Sequence, residues 1–473
     1  MREHIRDETI DLIYLDPPFN SSANYNVLFK SPQGQNSDAQ IEAFEDTWHW
    51  NEQAEREFGE LTRQPNTDVS EMMQALRRFL GENDMMAYLT MMANRLLELH
   101  RALKPTGSLY LHCDPTASHY LKIVLDGVFG KENFRNEIIW SYKKWAVAET
   151  KFSRNHDVIL FYAKSNSAQF NILFQPRAAS TLKRFGNKKI VSGHDDEGKR
   201  TPSITLDEES GGVKMSDVWE LPIIAPSSSE RLGYPTQKPL ALLERIINAS
   251  SNEGDIILDP FCGCGTAVHA AQKLKRQWIG IDITHLAVSL IEKRIKDAFP
   301  SVHFEVHGTP KDFAGARDLA ERDKYQFQWW ACSLVNAQPY QGKKKGADGG
   351  IDGLIYFNDD GKLPKKIIIS VKGGEHVSRT MVADLKNAVD RDKAQLGLFV
   401  TLTKPTRPMK DEASAAGFYD SPAGSSFPKI QLLTIEGLLT GSEQARYPDL
   451  ARGGLTFKKA KIEEKMVDQK NLF

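Results

Sequence analysis

Cysteine is scarce in this chain of 473 residues: only Cys113, Cys262, Cys264 and Cys332 occur. That is too few and too scattered for a disulfide framework, and no pair of pairs has the spacing of a zinc site. Long apolar runs are absent too, since none approaches the ~20 residues that a membrane-spanning helix needs. The opening Met1-Arg2-Glu3-His4 is polar and lacks the apolar stretch of a secretory signal. A cytoplasmic chain without membrane contact is therefore expected. An excess of either charge is also missing, the net charge being −1, so any attraction to nucleic acid must come from local patches. The length is enough for two or three domains with sizeable cores.

What stands out first is Ile10-Asp11-Leu12-Ile13-Tyr14-Leu15-Asp16-Pro17-Pro18-Phe19-Asn20. Its apolar run reads as a buried strand of a parallel sheet, ending where open α/β sheets bind ligands. Two prolines in succession remove two backbone donors, so the turn can offer only acceptors. An acid, rigid carbonyls and an aromatic face suit a flat ring carrying an exocyclic amine. Asp16 and the Pro17 carbonyl can accept the two amino hydrogens while Phe19 stacks on the ring. Holding both hydrogens turns the nitrogen lone pair towards an electrophile. An ordinary strand-to-loop turn is the plainer alternative.

Only nine residues precede this strand. An earlier start, or an upstream strand supplied from elsewhere, is expected. Residues 30–80 are polar and acidic around Trp48 and Trp50, as in an insertion that packs on the domain or covers the site. A helix over Asn83–Leu103 is broken by Lys104-Pro105-Thr106-Gly107 and followed by a strand, Ser108–Cys113. Thr116–Phe129 is the next helix, with Asp114 as its cap. This alternation signals a parallel sheet with crossovers. Residues 135–200 hold 13 Lys+Arg against 6 Asp+Glu. There Lys143, Lys144, Arg154, Lys183 and Arg184 mix with aromatics, which suits a phosphate backbone and unstacked bases. A solvated charged face is the alternative.

A second motif, Asp255-Ile256-Ile257-Leu258-Asp259-Pro260-Phe261-Cys262-Gly263-Cys264-Gly265-Thr266, reads as a strand, a glycine turn and the start of a helix. Glycines let backbone approach a ligand, and a helix N-terminus attracts a carboxylate. The following strand, Trp278–Ile283, carries Asp282, 17 residues beyond Gly265. An acid about 20 residues after such a loop grips a ribose diol. S-adenosylmethionine carries both groups and no pyrophosphate.

Asp16-Pro17-Pro18-Phe19 resembles the (D/N/S)-P-P-(Y/F) motif of DNA amino-methyltransferases. Its place ahead of Phe261-Cys262-Gly263-Cys264-Gly265 is similar to the β class, in which the catalytic motif precedes FxGxG. Thr236-Gln237-Lys238-Pro239 looks like the family's T-x-K-P element. The resemblance implies Asp16, Pro17, Pro18 and Phe19 as catalytic. It implies Asp259, Phe261, Gly263, Gly265, Thr266, Asp282, Gln237 and Lys238 as cofactor-binding. The leading acid favours adenine N6 over cytosine N4, with the base flipped out of double-stranded DNA.

Near Lys311 the character changes. Gly346-Ala347-Asp348-Gly349-Gly350-Ile351-Asp352 and Ser370-Val371-Lys372 resemble the Mrr-like restriction endonucleases of the PD-(D/E)xK fold. The resemblance implies Asp352 as a Mg²⁺ ligand and Lys372 as polarising the attacking water. Ser370 stands where an acid or Gln belongs, so a fold kept for DNA binding or subunit pairing is the alternative.

The expected protein is α/β: a Rossmann-like methyltransferase sheet over 1–308, with a target-recognition region at about 141–215. A linker at 309–322, a restriction-endonuclease-like domain at 323–445 and a charged tail at 446–473 follow. The expected activity is adenine-N6 methylation in a restriction-modification or phage-defence setting. A helicase–nuclease restriction subunit and a homodimer are further partners to consider. The rivals are a cytosine-N4 enzyme, a Mg²⁺-dependent restriction endonuclease and a non-catalytic DNA-binding module.

Overall fold

The structure, a computed structural model, describes all residues except 19–23, 31–35, 46–47, 145–149, 151, 195–198, 210, 229, 233, 235, 341–349, 362, 451–454 and 464–473. The run Ile10–Leu15 forms strand β1 and is buried on both faces, because alternate side chains enter two different cores. Leu12 and Tyr14 share one with Ile246, Ile247 and Ala270, while Ile13 and Leu15 share the other with Met92, Leu96 and Leu125. Each fully buried Leu or Ile contributes about 1.5–3 kcal/mol, which is why the run reads as continuous rather than alternating.

A hairpin of β2 (Asn24–Lys30) and β3 (Asn36–Glu45) follows, then helices α1 (Glu52–Thr62), α2 (Thr67–Leu80) and α3 (Asp84–Ala102). All three helices start on an asparagine, Asn51, Asn66 or Asn83, whose side chain accepts first-turn N–H groups. The expected insertion thus folds largely as helices. Trp50 packs edge-on to Phe58, with the Arg77 guanidinium over both rings.

Next come β4 (Leu103–Cys113), α4 (Ser118–Phe129), β5 (Phe134–Ser141) and β6 (His156–Ala163). Lys104–Gly107 ends α3 but also opens β4, which starts five residues before the expected strand. Gly107 sits there because a Cβ would meet Leu103 and the Asp11 carbonyl. An arm of β7 (Phe174–Gln175), α5 (Ala179–Phe185), β8 (Lys188–His194), β9 (Arg200–Glu209) and β10 (Val213–Lys214) leads to β11 (Val218–Glu220). The first domain closes with α6 (Leu240–Ser250), β12 (Ile256–Asp259), α7 (Thr266–Lys273), β13 (Gln277–Gly280) and α8 (His285–Ala298).

Seven of these strands make one sheet in the order β11-β5-β6-β4-β1-β12-β13, in which only β6 runs against its neighbours. The first strand of the chain is therefore central. β1 pairs in parallel with β12, Leu12 opposite Ile257 and Ile13 opposite Leu258. On its other side it pairs with β4. The chain leaves β1 towards β4 and leaves β12 towards β13, so the connections diverge and a crevice opens at the C-terminal ends of this strand pair.

Within the stretch 309–322 only residues 309–312 lie outside a helix. Phe313–Arg322 forms α9, capped by Asp312, and its Ala316, Leu319 and Ala320 enter the second core. Then come α10 (Lys324–Leu334), β14 (Gln338–Pro339), β15 (Gly353–Phe357), β16 (Lys365–Lys372), α11 (Arg379–Arg391) and β17 (Leu396–Thr401). The domain ends with α12 (Arg407–Ala415), β18 (Phe418–Asp420), β19 (Ser426–Pro428), β20 (Ile430–Thr434) and α13 (Ile435–Thr440). Its sheet runs β14-β15-β16-β17-β20, antiparallel at first and parallel from β16 onward. Among the described residues no helix is long and apolar enough to cross a membrane.

Candidate active site

Asp16 follows β1 directly, and Asp259 ends the neighbouring β12, so strand pairing alone brings the two motifs together. Continuing the register sets Asp16 beside Phe261, at the start of the glycine turn. Both motifs open into one cavity of about 780 Å³, whose walls include Asp16, Pro18, Lys238, Asp259, Phe261, Gly263 and Asp282. Pro17 is buried beside it, and Phe19 lies outside the described residues.

The two carboxylate oxygens of Asp16 have different surroundings. Oδ2 accepts from Lys238 Nζ at 2.5 Å, whereas Oδ1 is buried without a hydrogen-bond partner. A buried carboxylate oxygen with no donor is costly, and here it belongs to a residue that lines the cavity. An incoming N–H would satisfy it. Behind Asp16 lies a chain of polar groups that the motifs do not announce. Tyr14 Oη is 3.1 Å from His112 Nδ1, His112 Nε2 is 3.3 Å from Asp157 Oδ2, and Tyr142 Oη donates to Asp157 Oδ1 at 3.0 Å. Burial, reinforced by Asp16, pushes the Tyr14 phenol well above its ordinary range, so it stays a neutral donor. Burial raises Asp157, but its hydrogen bond from His112 and the Lys238 charge outweigh that and lower it. The available signal was a histidine and an aspartate inside otherwise apolar strands.

The turn after β12 needs glycine at two positions. Gly263 has φ +51° and Gly265 φ +74°, and a Cβ at Gly265 would sit 2.9 Å from Ile291. Gly265 precedes α7, and Thr266 and Ala267 in its first turn line the cavity. Arg294, buried under the turn, donates to the Cys264 carbonyl at 3.1 Å and to Thr266 Oγ1 at 3.0 Å. Cys262 and Cys264 are buried packing residues, as their variable motif positions suggest. Asp282 lies just past β13, where Oδ2 accepts from Gly263 N at 2.9 Å and Oδ1 from Thr284 N at 2.9 Å. Burial pushes Asp282 up, and burial with the neighbouring Asp16 and Asp282 charges pushes Asp259 well above the carboxylate range despite the Phe261 N–H. Asp16, Asp259, Asp282 and Asp323 line the cavity together with Lys238 and Arg95, the Asp259 carboxyl being pushed towards its neutral form.

Gln237 and Lys238, both expected at the cofactor, line the cavity and also have protein partners. Lys238 salt-bridges Asp16, and the Gln237 amide ties its own loop, donating to the Glu230 carbonyl and accepting from Leu232 N. Tyr234, unforeseen, covers Gly263 closely enough that a Cβ there would lie 3.2 Å from its ring. Lys143, Lys144 and Arg154 lie between β5 and β6, at the same sheet edge as Asp16, with Arg154 3.7 Å from Asp114. Asp114 binds Thr116 N at 2.9 Å, so it ties the turn ahead of α4, whose own cap is Ala117. Lys183 and Arg184 are on α5 in the arm, apart from that edge loop.

In the second domain Asp352, Ser370 and Lys372 do meet. Asp352 Oδ2 accepts from Val371 N at 2.6 Å and lies 3.7 Å from Lys372 Nζ, while Oδ1 accepts from Gln328 Nε2 at 2.7 Å. Among the described residues Asp352 is the one acid of this group, and bound by these donors it does not fit Mg²⁺, a hard cation that wants several open oxygens. Among the described residues no group of three metal-ligating side chains occurs.

The chain belongs to the DNA methylase family, whose sequence pattern matches residues 10–293. Residues 332–439 are similar to a family described as NACHT-associated inactive Restriction Endonuclease 1. Among curated relatives, Type II methyltransferase M.EcaI of Enterobacter cloacae is 30% identical over 44% of this chain and 57% of its own length. Type II methyltransferase M.HpaI of Haemophilus parainfluenzae is 30% identical over 53% of this chain and 74% of its own. DNA adenine methyltransferase YhdJ of Escherichia coli (strain K12) is 27% identical over 61% of this chain and 76% of its own.

Proposed function

We propose that this chain methylates the N6 amine of an adenine flipped out of double-stranded DNA, with S-adenosylmethionine as donor, in a restriction-modification or phage-defence setting. The observation that carries the reading is the shared cavity: Asp16 and the Gly263–Thr266 turn line one space. When bound, S-adenosylmethionine supplies a methyl group on a sulfonium. Gly263, Gly265 and Thr266 at the start of α7, with Asp282 and the flanking Asp259, would hold it.

Asp16 Oδ1 and the Pro17 carbonyl would accept the two amine hydrogens, which aims the nitrogen lone pair across the cavity. Lys238 salt-bridges Asp16 Oδ2 and so fixes the orientation of the carboxylate. Phe19 would stack on the base, which offsets part of the few kcal/mol that flipping costs. The extra proton leaves the amine after transfer, so no strong general base is needed and the chain's contribution is largely positioning. Lys143, Lys144 and Arg154 would meet the DNA backbone at this edge, with Lys183 and Arg184 on the arm.

Adenine is favoured over cytosine N4 by the leading acid of the motif and by the name of the relative YhdJ. A restriction subunit or a second copy as partner rests on the resemblance alone. The test is transfer of labelled methyl to unmethylated genomic DNA, followed by mass spectrometry of the nucleosides. Wild type should yield N6-methyladenine, and Asp16→Ala should lose on the order of 100-fold or more in rate. Equal label in both proteins would end the assignment, and N4-methylcytosine would move it to the other base.

A further inference from the structure

The cavity is not built by the methylase domain alone. Asp323, Tyr325, Gln326 and Trp329, all in or next to α10, complete its wall on the side of Asp282, Ile283 and Thr284. The reason lies in the sheet. β13, after which Asp282 stands, is the edge strand, and among the described residues no strand pairs with its outer side. The first domain alone therefore leaves that end of the crevice open.

Helix α10 fills it and is anchored at both faces. Phe327 and Trp330 are buried in the second domain's core, and Asp323 caps the first turn by accepting from Tyr325 N and Gln326 N. Towards the first domain, Gln326 Oε1 accepts from His285 N at 2.9 Å, while Trp329 packs with Tyr234, Cys264 and Leu286. Tyr325 and Ile283 are large apolar side chains left 63% and 87% exposed, and both line this end of the cavity. Exposed apolar faces flanking an acid suit a flat base attached to a diol-bearing sugar.

We propose that the nuclease-like domain is a working wall of the cofactor site, with Tyr325 and Trp329 covering the nucleoside end of S-adenosylmethionine opposite Ile283. The inference rests on the donor proposed above. It assigns a binding duty to a domain whose own acid, Asp352, is closed off by protein donors.

Isothermal titration calorimetry on the full chain tests it, with S-adenosylmethionine and methylthioadenosine as probes, the second lacking the amino-acid end. Tyr325→Ala and Trp329→Ala should each weaken both probes by about tenfold or more, and Tyr325→Phe should bind as wild type does. Circular dichroism melts accompany each protein. Because Tyr325 is mostly exposed, its variant remains informative even if Trp329→Ala unfolds. Unchanged affinity in a folded Tyr325→Ala protein overturns the inference while leaving the donor assignment standing. A wild-type chain that binds neither probe removes both.

Discussion

Asp16 shows how a residue acquires its chemistry from side chains that are remote in sequence. One oxygen is held by Lys238 and the other is left open, and the strand bearing it is backed by Tyr14, His112 and Asp157. His112 is fully buried between a phenol and a carboxylate, and its Nδ1 lies 3.9 Å from Asp16 Oδ1, too far for a hydrogen bond. In the proposed reaction that geometry gives it a positioning part. His112→Phe would leave Tyr14 and Asp157 short of a partner, a cost of about 1–3 kcal/mol. Methyl transfer should slow by about tenfold while affinity for S-adenosylmethionine holds, because catalysis here depends on orientation. Equilibrium denaturation, single-turnover rates and calorimetry together check this. A variant that lost donor affinity in step with rate would show a merely structural role.

At the scale of elements, capping and burial decide most of what forms. Asparagine caps start α1, α2 and α3, and a proline-glycine stretch both ends α3 and opens β4. Near the end of α3, two effects oppose each other at His100. A cation is ordinarily welcome in the last turn of a helix. Here burial dominates, with Lys164 adding repulsion, and the imidazole is pushed down to about 4. It packs edge-on against Phe129 at 4.9 Å. The unfolded chain takes up this proton near pH 6.5 and the folded one only near pH 4, so stability falls as pH drops between those values. Melting temperature should decline over that window, and His100→Gln should flatten the slope. Parallel curves for the two proteins would exclude His100 as the source.

For the whole molecule, the tail matters more than its charged composition suggests. Thr456 hydrogen-bonds both the N–H and the carbonyl of Tyr356 at 3.0 Å in the second domain. Seven residues on, Glu463 N donates to the Ala298 carbonyl at 2.9 Å in the first, and its carboxylate lies near His269 and Lys273. The described part of the tail thus stitches the two domains beside α8, behind the cofactor turn. A chain truncated after residue 454 should keep both cores yet loosen the seam. Faster limited proteolysis within 299–323, with little change in circular dichroism, is the expected outcome. Equal cleavage rates would show that α10 holds the seam unaided.

Local order was legible in the residues themselves. Buried runs, proline turns and glycine turns are governed by near neighbours, so both motifs, their strands and their sequence order could be read directly. In the second domain Ser370 likewise stood out in the residues as a departure from the pattern its neighbours resemble. The interior course of 309–322 and the docking of the tail were not legible, since short amphipathic or charged segments take their structure from whatever surface they meet. Composition and spacing by themselves determined which chemical groups the chain possesses and the local backbone that presents them. Only tertiary structure decided that β1 and β12 lie side by side, that Lys238 rather than solvent meets Asp16, and that α10 closes the cavity. Those outcomes depend on strand pairing and on packing between distant segments, and no local propensity specifies either.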